Sequence, residues 1–299
     1  MAKILNEISG PIFSLPWLVA RDEELFEKAG IDIEFVRAVP LKGYDYEEDP
    51  EKVPSIGPHR PFADGQAKIY RACEWGQIRR SYDNEGGGRI VGKRSAVGVQ
   101  ALISAPGSRF THPQTLKGQR VGVGFHTGTH YAALQLLEGF LAREDIKVVN
   151  VGPQEAYEAV GRGDLAAAAL MDPWITLAEK NGYQKIAETH YQGSEIATAE
   201  VDEATWTRIT TVLSEAVKLI NADKKKYLHH LINGLPPQYA AQLTPDDFHL
   251  PRLRYVEAAP YGEDEFQQTY DWLVGWGLVK GDSGFEKLVQ NKIQKPRAA

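Results

Sequence analysis

One cysteine, Cys73, stands in 299 residues, so no intramolecular disulfide can brace this chain. Long apolar runs are missing too. None approaches the roughly 20 residues of a membrane-spanning helix, so no insertion into a membrane is expected. Basic residues are in deficit: 34 Lys and Arg stand against 40 Asp and Glu, a net charge of −6. That argues against nucleic-acid binding by phosphate neutralisation. There is no zinc-ligand spacing, no phosphate loop of the Gly-x-x-x-x-Gly-Lys type and no triad spacing. The first residues, Met1-Ala2-Lys3-Ile4-Leu5, lack the pattern of a secretory leader. What remains is an ordinary folding composition, 42% hydrophobic and 25% charged. Its length suits about two domains of roughly 150 residues each.

The opening alternates strand and helix. Lys3–Ile8 reads as a strand, Leu15–Ala29 as a helix stopped by Gly30, and Ile31–Val36 as a second strand. A parallel α/β sheet follows from that order. Residues 37–62 break the rhythm with five prolines and the acidic residues Asp45, Glu47, Glu48, Asp49 and Glu51. This is a long loop, either a solvated surface segment or a functional flap. Glu74–Tyr82 reads as a helix, Glu85–Gly88 as a turn, and Ala96–Ile103 as a strand long enough to run between domains. A second α/β block follows, with strands at 121–124, 147–151, 165–171 and 185–188 and helices at 129–141, 154–160 and 173–180. Asp172 is positioned to cap the last of these helices. From Asp202 onward the pattern is almost purely helical.

Three stretches carry a family likeness. They are Leu25-Phe26-Glu27-Lys28-Ala29-Gly30-Ile31-Asp32-Ile33, Leu116-Lys117-Gly118-Gln119-Arg120-Val121-Gly122-Val123, and Gly163-Asp164-Leu165-Ala166-Ala167-Ala168 followed by Asp172-Pro173-Trp174. In order and spacing the chain resembles the type II periplasmic solute-binding family. More narrowly, it is similar to the nitrate/sulfonate/taurine-binding and thiamine-pyrimidine-synthase branch. The resemblance implies a two-lobed α/β fold. Each lobe would be a mixed, mostly parallel sheet flanked by helices, with the ligand cleft between the lobes. Residues 1–104 plus 198–299 would form the first lobe and 105–197 the second, hinged near 101–106 and 193–200. Two departures stand out. Lys68 occupies the place of a usual acidic residue in Gly65-Gln66-Ala67-Lys68, and the 37–62 loop is long. The cysteine cluster of the thiamine-pyrimidine synthases is absent.

Ligands of open α/β sheets sit beyond the carboxyl ends of strands. That rule selects the turn after the first strand with Ser14 and Trp17, the Cys73-Glu74-Trp75 helix start, the His126-Thr127-Gly128-Thr129-His130 turn, and Asp172 with Trp174. Lys68 joins them through its place in the resemblance. The Thr127 turn would present backbone N–H groups to an anion, or else Thr127 or Thr129 simply caps the helix. The tryptophans would stack on a planar or apolar ligand. His126 and His130 are four apart, but with no third ligand no metal site is expected. Cys73, Glu74 and His126 are the catalytic candidates, Cys73 because a helix start can lower a thiol pKa. Arg79, Arg80, Arg89, Lys93 and Arg94 form a loose basic group that could counter a ligand's charge.

The leading expectation is capture of a small anionic or aromatic molecule, a sulfonate, carboxylate or heterocycle, by a solute-binding protein of an ABC transporter. Its partners would be that ligand and, for a secreted chain, a membrane permease, with no cofactor. The alternative is a cytoplasmic enzyme of decarboxylase, hydrolase or desulfinase type on the same fold. Location follows the same division: periplasmic or cell-surface if a leader has been removed, cytoplasmic otherwise.

Overall fold

The computed structural model describes residues 3–83, 88–280 and 284–293. The turn expected at Glu85–Gly88 lies largely outside them. In chain order, β1 (Ile4–Ile8), α1 (Pro11–Asp22), α2 (Leu25–Lys28) and β2 (Ile33–Arg37) open the fold. After the long loop come α3 (Arg60–Ala63), β3 (Ile69–Ala72), α4 (Glu74–Tyr82), β4 (Arg89–Lys93) and β5 (Ala96–Ser104). Next are β6 (Arg120–Val123), α5 (Gly128–Glu138), β7 (Lys147–Asn150), α6 (Pro153–Arg162), β8 (Ala167–Leu170), α7 (Trp174–Lys180), β9 (Gln184–Tyr191) and β10 (Ser194–Ala197). The helical end comprises α8 (Glu203–Ala222), α9 (Lys224–Tyr227), α10 (His229–Ile232), α11 (Pro237–Ala240), α12 (Glu263–Gly275) and α13 (Phe285–Leu288), with the short strand β11 (Arg254–Tyr255) before α12.

The strands form two mixed sheets. The first runs β2-β1-β3-β10-β4, with β1 parallel to β2 and β3, and β10 antiparallel to β3 and β4. The second runs β11-β5-β8-β6-β7, with β6 parallel to β7 and β8, and β9 paired antiparallel to β5. Helices flank both sheets, and the fold is α/β with no closed barrel. No helix among the described residues is long and apolar enough to cross a membrane.

Several expectations are corrected in detail. The helix expected at Leu15–Ala29 starts at Pro11 and breaks after Asp22, where Glu24 adopts a φ of 57°. Proline is tolerated at a first helical position because that N–H has no intrahelical partner. The earlier start brings Phe13 to the boundary between the sheets. The linking strand expected near 101–106 is the end of β5. Residues 98–104 of β5 are zipped to β9, so this strand belongs to the second sheet. The chain instead passes between the sheets at Lys93–Ala96 and Tyr191–Ser194. There Arg94 N–H donates to the Gly193 carbonyl at 2.8 Å and Gln192 Nε2 to the Arg94 carbonyl at 2.8 Å. The linking strand expected near 193–200 is β10 (Ser194–Ala197). It is four residues long, fully buried, and carries Glu195 inward, so neither length nor alternation marks it.

The 37–62 loop ties the two halves together. On the first-sheet side Ala38 N–H donates to the Ile8 carbonyl at 2.9 Å, and Glu51 takes a paired hydrogen bond from Arg79 at 2.8 and 3.0 Å. On the second-sheet side the loop centres on Asn150. The backbones of Tyr46 and Glu47 bond that of Asn150, and Asn150 Nδ2 donates to the Tyr44 carbonyl at 2.9 Å. His126 Nε2 lies 2.9 Å from the Pro50 carbonyl.

Candidate functional site

Three helix starts meet between the sheets: α1 with Phe13, α4 with Cys73-Glu74-Trp75-Gly76, and α5 with Thr127-Gly128. The approach of α4 to the His126 turn is close. A Cβ on Gly76 would lie 2.6 Å from the His126 carbonyl oxygen. At the start of α5, a Cβ on Gly128 would collide with the Tyr191 hydroxyl at the end of β9. Glycine at both positions lets backbone amides face the space between the halves.

Aromatic rings line this space. Trp75 meets Tyr191 edge-on at 5.1 Å and stacks on Tyr131 at 6.1 Å, with Trp272 of α12 behind both at 6.5 and 6.3 Å. The Arg94 guanidinium lies between Phe13, 3.8 Å from its ring centre, and Tyr191 at 5.0 Å. Such cation–π contacts hold a guanidinium in place while leaving its edge N–H groups free.

The polar groups here are short of partners. Arg94 is 1% exposed. Its Nε donates to the Ala96 carbonyl at 3.0 Å, and its Nη2 has no partner. Arg80, also 1% exposed, donates one bond to the His126 carbonyl at 3.3 Å, and its Nε and Nη1 have none. Neither arginine has a carboxylate within ion-pair distance among the described residues. Both amide atoms of Gln100, the Tyr131 hydroxyl and Ser194 Oγ are likewise buried without partners. Thr127 makes no side-chain cap. Its hydroxyl donates back to the Gly124 carbonyl at 2.7 Å, so the first N–H groups of α5 have no capping oxygen.

Beneath this space, the first sheet carries a better-satisfied network. Arg71 donates to Asn6 Oδ1 at 2.7 Å and the Glu7 carbonyl at 2.8 Å, reaches Ser14 Oγ at 3.3 Å, and lies 3.4 Å from Glu195. Glu7 pairs with His59 at 2.5 Å. Burial and the nearby Arg80 charge push His59 down to about 4, so its ring is neutral near pH 7. Apart from Arg79, which is paired with Glu51 and Asp83, the buried groups around this space are therefore three guanidiniums, on Arg71, Arg80 and Arg94, against the carboxylates of Glu7 and Glu195 and the carboxyl of Glu74. Burial raises Glu74 to about 7, which leaves it partly protonated at neutral pH. The balance is positive, and the surplus sits at Arg80 and Arg94. This is chemistry for an anion.

The residues singled out in the sequence divide into two groups. Cys73, Glu74, Trp75, His126, Thr127, Thr129 and His130 come together at the facing starts of α4 and α5. Ser14 lies one layer below, on Arg71. The others face elsewhere. Trp17 stacks on Phe26 at 5.8 Å and donates to Glu195 at 3.1 Å, inside the first half. Lys68 pairs with Glu200 at 2.9 Å on the surface. Trp174 packs between Tyr157 and Tyr239. Asp172 is fully buried under Arg252, with Nε to Oδ2 at 2.7 Å, and its Oδ1 accepts from the Thr176 backbone and hydroxyl. It anchors the helical end of the chain to the start of α7.

Electrostatics do not activate Cys73. Burial pushes its thiol up to about 11, against the weaker pull of Arg80, and its Sγ accepts only the Gly76 N–H at 3.4 Å. A thiolate nucleophile needs the opposite shift. Burial lowers His126 and His130 as well, and neither bonds the thiol among the described residues. Phe13, Gln100, Tyr131, Tyr191 and Ser194 were missed by sequence reasoning, and Arg80 and Arg94 stood there only within a loose basic group. The adjacent pair Lys93-Arg94 between two apolar strands was the one available signal for a buried arginine.

Comparisons follow this geometry. Residues 83–195 match the model of the NMT1-like family. No curated protein matches the chain in sequence. The periplasmic aliphatic sulphonate binding protein SsuA of Escherichia coli superposes with a TM-score of 0.73 at 16% identity, covering 99% of this chain and 94% of that one. The alkanesulfonate-binding protein SsuA of Xanthomonas axonopodis pv. citri, bound to MOPS, gives 0.71 at 17% identity, with 94% and 95% covered. A cysteine-to-serine mutant of DSZB, in complex with biphenyl-2-sulfinic acid, gives 0.65 at 13% identity, with 97% of each chain covered. At these identities the likeness is one of fold. The chain thus has the two-sheet α/β fold of the periplasmic solute-binding proteins, with an NMT1-like segment spanning the two crossings between its halves.

Proposed function

We propose that this protein is a solute-binding protein that captures a small organic anion, a sulfonate or carboxylate, between two lobes. The lobes are the halves built on the two sheets, hinged where the chain crosses at 93–96 and 191–194. The carrying observation is the pair of buried arginines, Arg80 and Arg94, with free N–H groups and no carboxylate partner. Burying an unpaired guanidinium costs several kcal/mol. An anion held by Arg94 and the open N–H groups of α5 would offset that cost. Trp75 and Tyr131 would then cover the ligand's apolar or planar body. Each of these side chains is less than a tenth exposed, so entry requires the lobes to part, as hinged binding proteins do. The sulphonate-binding names of the structural neighbours support the same class and a periplasmic setting, and the ABC-transporter name of one of them agrees with a membrane transporter as partner. The unactivated thiol of Cys73 favours capture over desulfinase-type chemistry.

Isothermal calorimetry with alkyl and aryl sulfonates, the matching carboxylates, and neutral analogues tests this reading. Binding of an anion but not its neutral analogue is expected, with the compound recovered unchanged. Equal binding of neutral and anionic forms would overturn the assignment of charge, and turnover would overturn capture.

A further inference from the structure

The surface of the first half holds a second cluster, away from the arginine site. α1 ends at Asp22, and α10 begins with His229-His230 against it. One oxygen of Asp22 is occupied: Arg21 donates to Oδ1 through Nε at 2.8 Å and Nη2 at 2.7 Å. The other, Oδ2, faces both imidazoles, 2.6 Å from His230 Nε2 and 4.0 Å from His229 Nε2. The rings lie 4.0 Å apart, centre to centre. One ligand atom from each of the three residues lies within 4.8 Å of the other two.

The tautomer of His229 is informative. Its Nδ1 lies 3.0 Å from the Lys226 carbonyl oxygen, which can only accept, so Nδ1 carries the proton. In the neutral ring Nε2 is then a lone pair, on the side where Asp22 stands. A ring fixed by a backbone carbonyl on one nitrogen with the other left open is the usual arrangement of a metal-bound histidine. An ordinary hydrogen bond to Asp22 accounts for His230, and His229 Nε2 is left open on the side of the same carboxylate oxygen.

We infer that Asp22, His229 and His230 form a binding site for a divalent metal ion of the zinc type. Two imidazole nitrogens and one carboxylate oxygen suit zinc and its neighbours. Calcium and magnesium prefer oxygen alone. Zinc places its ligands at about 2.0–2.2 Å, so ligand atoms around it sit roughly 3.3 Å apart. The observed spacings of 2.6 and 4.0 Å bracket that value, and small side-chain rotations equalise them. Water completes the coordination, since two of the three residues are exposed. The ion would pin α10 to the end of α1, the helix whose other end presents Phe13 to the arginine site. No metal was expected here, because a carboxylate 208 residues from His230 makes no local spacing.

The test uses the untagged, full-length protein. Zinc calorimetry should give one site per chain, and cobalt should give the visible absorption of a low-coordinate nitrogen–oxygen site. His229→Ala and His230→Ala should each weaken zinc binding at least about tenfold, because each removes one of three protein ligands. Asp22→Asn, the mildest change, should weaken it with the circular dichroism spectrum unchanged. Absence of one-to-one zinc binding, or full binding by the His229→Ala/His230→Ala double variant, would overturn the site.

Discussion

The Arg94 guanidinium carbon lies 3.8 Å from the centre of the Phe13 ring, and the outer nitrogen Nη2 of that buried group has no hydrogen-bond partner. The charge is held by a π face and offered to something not supplied by the protein. Replacing it with a methionine of similar length removes an uncompensated buried charge and keeps the packing on Phe13 and Tyr191. Arg94→Met is therefore expected to leave the unliganded protein as stable as the parent or more so, by about 1–4 kcal/mol. The same change should weaken anion binding about ten- to a hundredfold, the worth of a hydrogen bond to a charged group. Thermal melts with and without ligand measure both effects. A less stable protein with unchanged affinity would show Arg94 to be purely structural.

The two-sheet architecture was legible because its signals are local: alternating strands, amphipathic helices and Gly-marked ends repeat along the chain. The starts of α4 and α5 were legible for the same reason, since strand ends followed by helix starts are visible in sequence. What was not legible depends on distance in the fold. Trp17 and Trp174 sit at element ends just as Trp75 does. Only the partners, Trp206 and Glu195 for Trp17 and Tyr157 and Tyr239 for Trp174, show that two of the three are core residues. Tyr191 and Arg94 stand at the two crossings between the sheets, and nothing in the neighbouring sequence says that the crossings are adjacent.

Asp172 separates the sequence expectation from the structural one. As a ligand-contacting residue it would tolerate replacement at the cost of affinity alone. As the partner of Arg252, both fully buried, it should not. Asp172→Ala leaves the Arg252 guanidinium beside only Glu179 and Thr176, and is expected to cost about 3–5 kcal/mol of stability. Urea unfolding measures it, and affinity per folded molecule should stay within a factor of about two, because no ligand contact is lost. A large affinity loss without destabilisation would return Asp172 to the binding site.

Asn150 holds the long loop to the second half. Its side chain accepts from Phe125 N–H at 2.8 Å and donates to the Tyr44 carbonyl at 2.9 Å, joining the base of the His126 turn to the loop. Asn150→Ala should cost about 1–3 kcal/mol, from one buried N–H left unpaired and one bond lost. Hydrogen exchange should rise across residues 43–52 and at Phe125, with the first sheet unaffected. Uniform acceleration over the whole chain would mean that the loop is not a separate latch.

Glu74 gives the stability a definite pH dependence. Burial raises its carboxyl from an unfolded value of 4.5 to about 7. The folded protein therefore holds this proton more tightly than the unfolded chain. Its contribution is fully present below pH 4.5, diminishes as pH rises between about 4.5 and 7, and is gone above that window. A difference of about 2.5 pH units corresponds to about 3 kcal/mol. Glu74→Gln replaces the protonated acid with a neutral amide of the same shape. The variant should match the parent near pH 4.5 and be more stable at pH 8, flattening the slope of melting temperature against pH in between. His59 opposes the trend, because its buried ring stays neutral down to about pH 4 while in the unfolded chain it takes up a proton below about 6.5, so the readout is the difference between variant and parent at each pH. If that difference is the same at pH 4.5 and pH 8, the Glu74 carboxyl is ionised throughout, and the positive balance at Arg80 and Arg94 is smaller than the buried inventory indicates.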